Sequence, residues 1–115
     1  MRTPSLILEQ QPAGGGDSLV IRLIGKLSFE NAPRFITTIL PEPAAHLVLD
    51  MSGLSFLDST GVGALAALFV SRRTKGKTLA LASLTVQGAA VLQVTGLLKI
   101  LPVYPSVEQA LVPPA

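Results

Sequence analysis

The residues best suited to chemistry lie in one run, Asp50-Met51-Ser52-Gly53-Leu54-Ser55-Phe56-Leu57-Asp58-Ser59-Thr60-Gly61-Val62-Gly63. It places two hydroxyls, Ser59 and Thr60, directly after a carboxylate and directly before an apolar helical pattern. Two readings fit. In the structural one, Ser59 is the helix N-cap and accepts a bond from the Gly61 or Val62 N–H. In the functional one, Ser59 is exposed and carries a phosphate, bringing a charge of about −2 to the positive end of the helix. Gly61 and Gly63 would let another backbone approach closely, but two glycines alone are not a nucleotide site. The chain has no Gly-x-x-x-x-Gly-Lys-Ser/Thr run, so a P-loop enzyme is not supported.

The other reactive groups are few. Asp50 and Asp58 could pair as hydrolytic carboxylates, yet pocket-building aromatics and a second polar cluster are missing, so Asp58 reads as support for the loop and the charge around Ser59. There is no cysteine and one histidine, His46. Disulfides, thiol catalysis and Cys-based zinc sites are therefore excluded, and a Ser-His-Asp triad or His-rich metal site is hard to assemble. His46, at a strand start, is expected to be a partly exposed side chain with no ligand role, and no metal or cofactor is expected. The basic run Arg72-Arg73-Thr74-Lys75-Gly76-Lys77 is read as cations facing the negative end of a helix dipole.

Positioning the serine requires a layered domain. The chain has 115 residues, 49% hydrophobic and 14% charged, enough for a single packed domain over residues 1–115. A net charge of +2 is too small to describe a nucleic-acid binder. The longest apolar stretch, Gly61 to Val70, falls well short of the roughly 20 residues that cross a bilayer. Leu6-Ile7-Leu8 is too brief for the core of a signal peptide. A cytoplasmic protein without membrane insertion is the resulting expectation.

Leu6 to Gln10 and Ser18 to Leu27 read as an antiparallel hairpin across the glycine-rich turn Pro12 to Asp17, with the first strand at a sheet edge. Ala32, Phe35, Ile36 and Ile39 recur at helical spacing, with Pro33 in the first turn and Pro41 at the end. His46 to Met51 is a continuous apolar strand. Ser52 to Asp58 is then a loop with Leu54, Phe56 and Leu57 tucked inward. A helix beginning at Ser59 or Thr60 runs to the basic stretch, followed by a strand at Thr78 to Ala82 and a helix at Thr85 to Thr95. A short edge strand at Ile100 to Tyr104 and a final turn or two at Ser106 to Leu111 complete the chain. The order β-β-α-β-α-β-α-β-α predicts an α/β fold, a mixed sheet of four to five strands with about four helices and right-handed parallel crossovers.

The run from Asp50 to Leu65, centred on Asp58-Ser59-Thr60-Gly61, resembles the signature of the STAS domain, in particular of bacterial anti-sigma factor antagonists. Gly25-Lys26-Leu27 with Ala32 resembles the family's segment after its second strand, and Thr95-Gly96-Leu97-Leu98-Lys99-Ile100 the one before its last. The likeness extends from Leu6 to Leu111. Many antagonists carry an acidic residue where Ser28 stands, and the helix between Phe29 and Pro41 is shorter than usual. The resemblance implies a STAS-like fold and a binding protein with no enzyme activity. Unphosphorylated, such a protein binds an anti-sigma factor that is also an ATP-dependent serine kinase, and so frees a sigma factor. Phosphorylation of the serine after the aspartate, here Ser59, switches it off, and a separate serine phosphatase restores it. Asp58, Thr60 and Gly61 then support the site, and a monomer or weak dimer is expected. A reading from another class is a STAS scaffold or regulatory subunit that does not switch, within a stressosome or a lipid transporter.

Helical geometry supplies one more expectation. If Val62, Leu65, Ala66 and Phe69 face the sheet, then Thr60, Ala64, Ala67, Leu68 and Ser71 face outward, and none is charged. Ala64, Ala67 and Leu68 are accordingly expected to be either a partner-binding surface or a face covered by the last helix around Val107 to Leu111.

Overall fold

The computed structural model describes residues 4–11, 13 and 16–112. Half of the turn expected at Pro12 to Asp17, the first three residues and the end of the Pro-rich tail lie outside them. Five strands, β1 (Leu6–Gln11), β2 (Ser18–Leu27), β3 (His46–Leu57), β4 (Thr78–Ala82) and β5 (Val103–Tyr104), alternate with four helices, α1 (Ala32–Ile39), α2 (Ser59–Thr74), α3 (Val86–Thr95) and α4 (Val107–Ala110). A 3-10 turn at Leu97–Lys99 precedes β5. The strands lie in chain order, with β1 antiparallel to β2 and every later pair parallel. This is the expected α/β order with both predicted edges in place.

The two sheet faces differ. Odd-numbered positions Ile21, Leu23, Leu47, Leu49, Leu79 and Leu81 form the main core with Phe35 of α1, Val62, Leu65 and Leu68 of α2 and Leu92 of α3. Even-numbered positions Val20, Val48, Ala80 and Ala82 meet Ala110 of α4 in a smaller core on the other side. Period-two alternation thus sends α1, α2 and α3 to one face and α4 to the other. The last helix therefore does not cover α2, because its anchor Ala110 belongs to the opposite layer.

Three expectations need correction. β3 continues through the stretch expected to be a loop, pairing with β2 as far as Leu27↔Leu57 across two register shifts. Leu54 and Leu57 are buried, but Phe56 is 41% exposed, since the extended backbone turns it to the other face. At the far end of the sheet, β5 holds only Val103 and Tyr104, because Leu101 turns into the core and Pro102 has no N–H to donate.

The third correction concerns the polar residues at the lower end of the sheet. His46 is buried, and its ring nitrogens engage Thr78 Oγ1 and the Ala110 carbonyl, which ties the start of β3 to α4. Arg72 is 1% exposed. Its guanidinium donates to the carbonyls of Thr78 at 2.9 Å, Glu42 at 3.1 Å and Ala44 at 2.5 Å. A planar fork of donors matches three converging carbonyls where a lysine would not. Desolvation pulls the Arg72 pKa below the ordinary arginine value, while the Glu42 and Asp17 carboxylates pull it back up. Arg72 is thus a strut between α2, the segment before β3 and the start of β4, not a dipole-facing surface cation.

Candidate functional site

β3 delivers its last residue, Leu57, straight to the start of α2. The N-cap is Asp58, with extended backbone and a side chain that accepts from Gly61 N. This differs from the reading in which Ser59 caps, and the reason is geometric: the backbone stays extended through Asp58 and the helix begins at Ser59, which places the carboxylate, not the hydroxyl, over the first turn. Asp58 Oδ1 lies 2.7 Å from Gly61 N and Oδ2 lies 3.0 Å from Phe29 N. One carboxylate therefore holds the start of α2 against the turn after β2.

Gly61 completes that clamp. A Cβ there would sit 2.6 Å from the Leu27 carbonyl oxygen and 2.8 Å from Leu57 Cδ1, so the close approach of β2 to the helix requires glycine. At Gly63 the space is open. Asp58 and Gly61 thus shape the start of α2, whereas a Cβ at Gly63 would meet no atom within 4 Å.

Ser59 and Thr60 are both exposed on the first turn. The first intrahelical bond runs from Val62 N to the Asp58 carbonyl, and Gly61 N is taken by the Asp58 side chain. The backbone N–H groups of Ser59 and Thr60 have no protein partner among the described residues, as at any helix start. The serine hydroxyl is thus left outside the capping arrangement, at the positive end of a 16-residue helix.

Gln87 was not singled out by the sequence reading. Its side-chain amide pairs with the Leu57 peptide from both sides, Oε1 accepting from Leu57 N at 3.0 Å and Nε2 donating to Leu57 O at 2.8 Å. It acts as one residue of an extra strand on β3, immediately before Asp58. Nothing in a lone glutamine on a weakly patterned helix signals that role.

The expected surface of α2 is corrected in part. Ala64 is 3% exposed and Leu68 is fully buried, both within the main core. Ala67 is exposed, as expected. The outward face is Thr60, Gly63, Ala67, Val70 and Thr74, spaced alternately three and four residues apart and rotated from the one anticipated. Val70 is 57% exposed, and Phe29, beside Asp58, is 68% exposed. An exposed helix face without a charged side chain, flanked by an exposed aromatic, has the composition of a contact surface.

Known proteins place this architecture. The description of the STAS domain family matches residues 9–110. The chain belongs to the STAS domain family.

An "Anti-sigma F factor antagonist" of Paenibacillus polymyxa is 28% identical to this STAS domain over 97 residues, covering 81% of the chain and 83% of the relative. The crystal structure of an anti-sigma factor antagonist from Mycobacterium paratuberculosis superposes with a TM-score of 0.76 at 24% identity, covering 96% of each chain. A sulfate transporter family protein from Wolinella succinogenes shares the fold with a TM-score of 0.71 at 23% identity, over 83% of this chain and 82% of that one. Among the described residues of the STAS domain, no helix is long and apolar enough to cross a membrane, and no group of three or more acidic or histidine side chains is placed to hold a metal.

The double bond of Asp58 gives a direct test of the site's construction. Asp58→Ala is expected to lower unfolding stability by about 1–2 kcal/mol, the cost of a lost N-cap. Asp58→Asn, which keeps one acceptor oxygen, should lose less. Urea denaturation of the two variants checks this, and an Asp58→Ala variant as stable as the parent would show that the clamp is idle.

Proposed function

We propose that this STAS domain is an anti-sigma factor antagonist. In its unphosphorylated form it binds an anti-sigma factor that is also a serine kinase, and so releases a sigma factor. ATP-dependent phosphorylation of Ser59 ends the interaction, and a serine phosphatase reverses it. The observation that carries this reading is the division of labour at the start of α2: Asp58 does the capping, which leaves Ser59 exposed and free of any structural duty. The name and coverage of the Paenibacillus polymyxa relative support the same assignment.

The partner is proposed to dock on the uncharged outward face of α2, Thr60, Gly63, Ala67 and Val70, together with Phe29. Small side chains at Gly63 and Ala67 permit close approach, and Val70 and Phe29 supply apolar area. A phosphate on Ser59 would stand at the rim of that surface. There a dianion is costly in a desolvated contact unless a cation meets it. The binding act involves no chemistry by this chain, and the protein works in the cytoplasm as a monomer or weak dimer.

Phosphopeptide mapping after incubation with the kinase and ATP tests the acceptor. Modification is expected on Ser59, and modification confined to Thr60 or Ser55 would overturn the assignment. The likeness to the Wolinella succinogenes transporter-family protein supports a second reading, a regulatory STAS unit of a larger assembly that does not switch. That reading expects no phosphate at Ser59.

A further inference from the structure

The shortness of β5 leaves a gap in the sheet. Among the described residues, β5 pairs with β4 only at Leu81↔Val103 and Ala82↔Tyr104, and Thr78, Leu79 and Ala80 have no strand on that side. Where a continued strand would lie there is a cavity of 210 Å³ between β4 and the C-terminal half of α2. Its apolar walls come from Phe69, Leu79, Pro102 and Tyr104, and Arg73 and Lys77 stand at its rim. No acidic side chain lines it.

The two cations are available to a ligand. Neighbouring Arg72 spends its guanidinium on three backbone carbonyls inside the fold, whereas Arg73, one position on, is exposed. Among the described residues, Lys77 Nζ makes a single long contact, 3.4 Å to the Glu42 carbonyl, which leaves two of its three donors. His46 also lines the cavity, but its ring nitrogens are occupied by Thr78 and Ala110, so it offers ring surface only. Apolar walls with a positive rim select a ligand that is apolar at one end and anionic at the other. The volume lies below the roughly 300–1,000 Å³ of pockets for drug-sized ligands, which limits the apolar end to one ring or a short chain.

We propose that this cavity binds a small organic carboxylate carrying an aryl or short acyl group, with the carboxylate on Arg73 and Lys77 and the apolar group against Phe69, Leu79 and Tyr104. The site lies toward the opposite end of α2 from Ser59, roughly 20 Å away at 1.5 Å per residue, and does not depend on the proposed switch.

Titration of the full chain with 4-phenylbutyrate, followed by amide NMR, tests the proposal. Saturable shifts are expected at Leu79, Ala80 and Tyr104, with affinity about tenfold weaker for the neutral 4-phenylbutyramide and for the double variant Arg73→Gln/Lys77→Gln. Arg73 is exposed and Lys77 half-buried with a single long contact to a carbonyl among the described residues, so the variant should fold. Shifts that never saturate, or equal affinity for the amide or for the double variant, would overturn it. So would inorganic phosphate moving the same amides at the same concentration, which would reduce the site to a bare patch of charge.

Discussion

Arg72→Met is expected to cost about 3–5 kcal/mol of unfolding stability, the range for removing a buried charged group from its partners. Methionine fills much of the same volume, so packing changes little. What it removes is the guanidinium's donors to the carbonyls of Thr78, Glu42 and Ala44. Three carbonyls then lose their guanidinium bonds where the end of α2, the segment before β3 and the start of β4 meet, and the 3.4 Å contact of Lys77 Nζ with the Glu42 carbonyl offsets little of that. Arg72→Lys should recover only part of the loss, because one ammonium cannot aim donors along the three directions a guanidinium fork serves. Against a total stability of about 5–15 kcal/mol, that is a large fraction, and the Met variant should unfold at a markedly lower denaturant concentration than the parent. Denaturation curves that place it within about 1 kcal/mol of the parent would show the strut to be dispensable.

Leu68→Glu is expected to unfold the domain, and Ala67→Glu, one residue away, is expected to leave it folded while abolishing partner binding. Leu68 is fully buried among the leucines of the main core. A carboxylate there must stay charged without a partner or take up a proton, and either costs several kcal/mol on top of the lost apolar contact, roughly 2–5 kcal/mol. Ala67 points to solvent, where substitutions usually change stability by no more than about 0.5 kcal/mol. On the proposed docking surface, however, a charge enters an apolar contact. Thermal melts and partner binding measured on both variants check the pair. A folded Leu68→Glu protein would place the α2 face differently, and an Ala67→Glu protein that binds normally would move the partner elsewhere.

That pair also shows where the sequence was legible. Strand and helix order could be read because β-branched strands, proline and glycine breaks and the crossover rule act locally and agree. The Asp58-Ser59-Thr60-Gly61 run could be read because its residue types are tied to one backbone geometry. The rotation of α2 could not. Between Gly61 and Val70 the helix is apolar on every side, so no polar stripe marks the solvent face, and Ala64 and Leu68 are chemically as plausible outside as in. β3 was cut short because Ser52, Gly53 and Ser55 are turn formers by propensity, and its extension depends on pairing with β2 and on Gln87, contacts distant in sequence. Arg72 was hidden in a basic run for the same reason, since only the assembled fold brings three carbonyls to one point.

In the proposed switch, the charge state of Ser59 decides whether the partner stays bound. Its most direct test is calorimetric titration of the anti-sigma factor captured from native cells with three forms of the chain: unmodified, phosphorylated on Ser59, and Ser59→Asp. Tight binding is expected of the unmodified protein and at least about a hundredfold weaker binding of the phosphoprotein, with Ser59→Asp between them because aspartate carries less charge. Equal affinities for all three forms would contradict it.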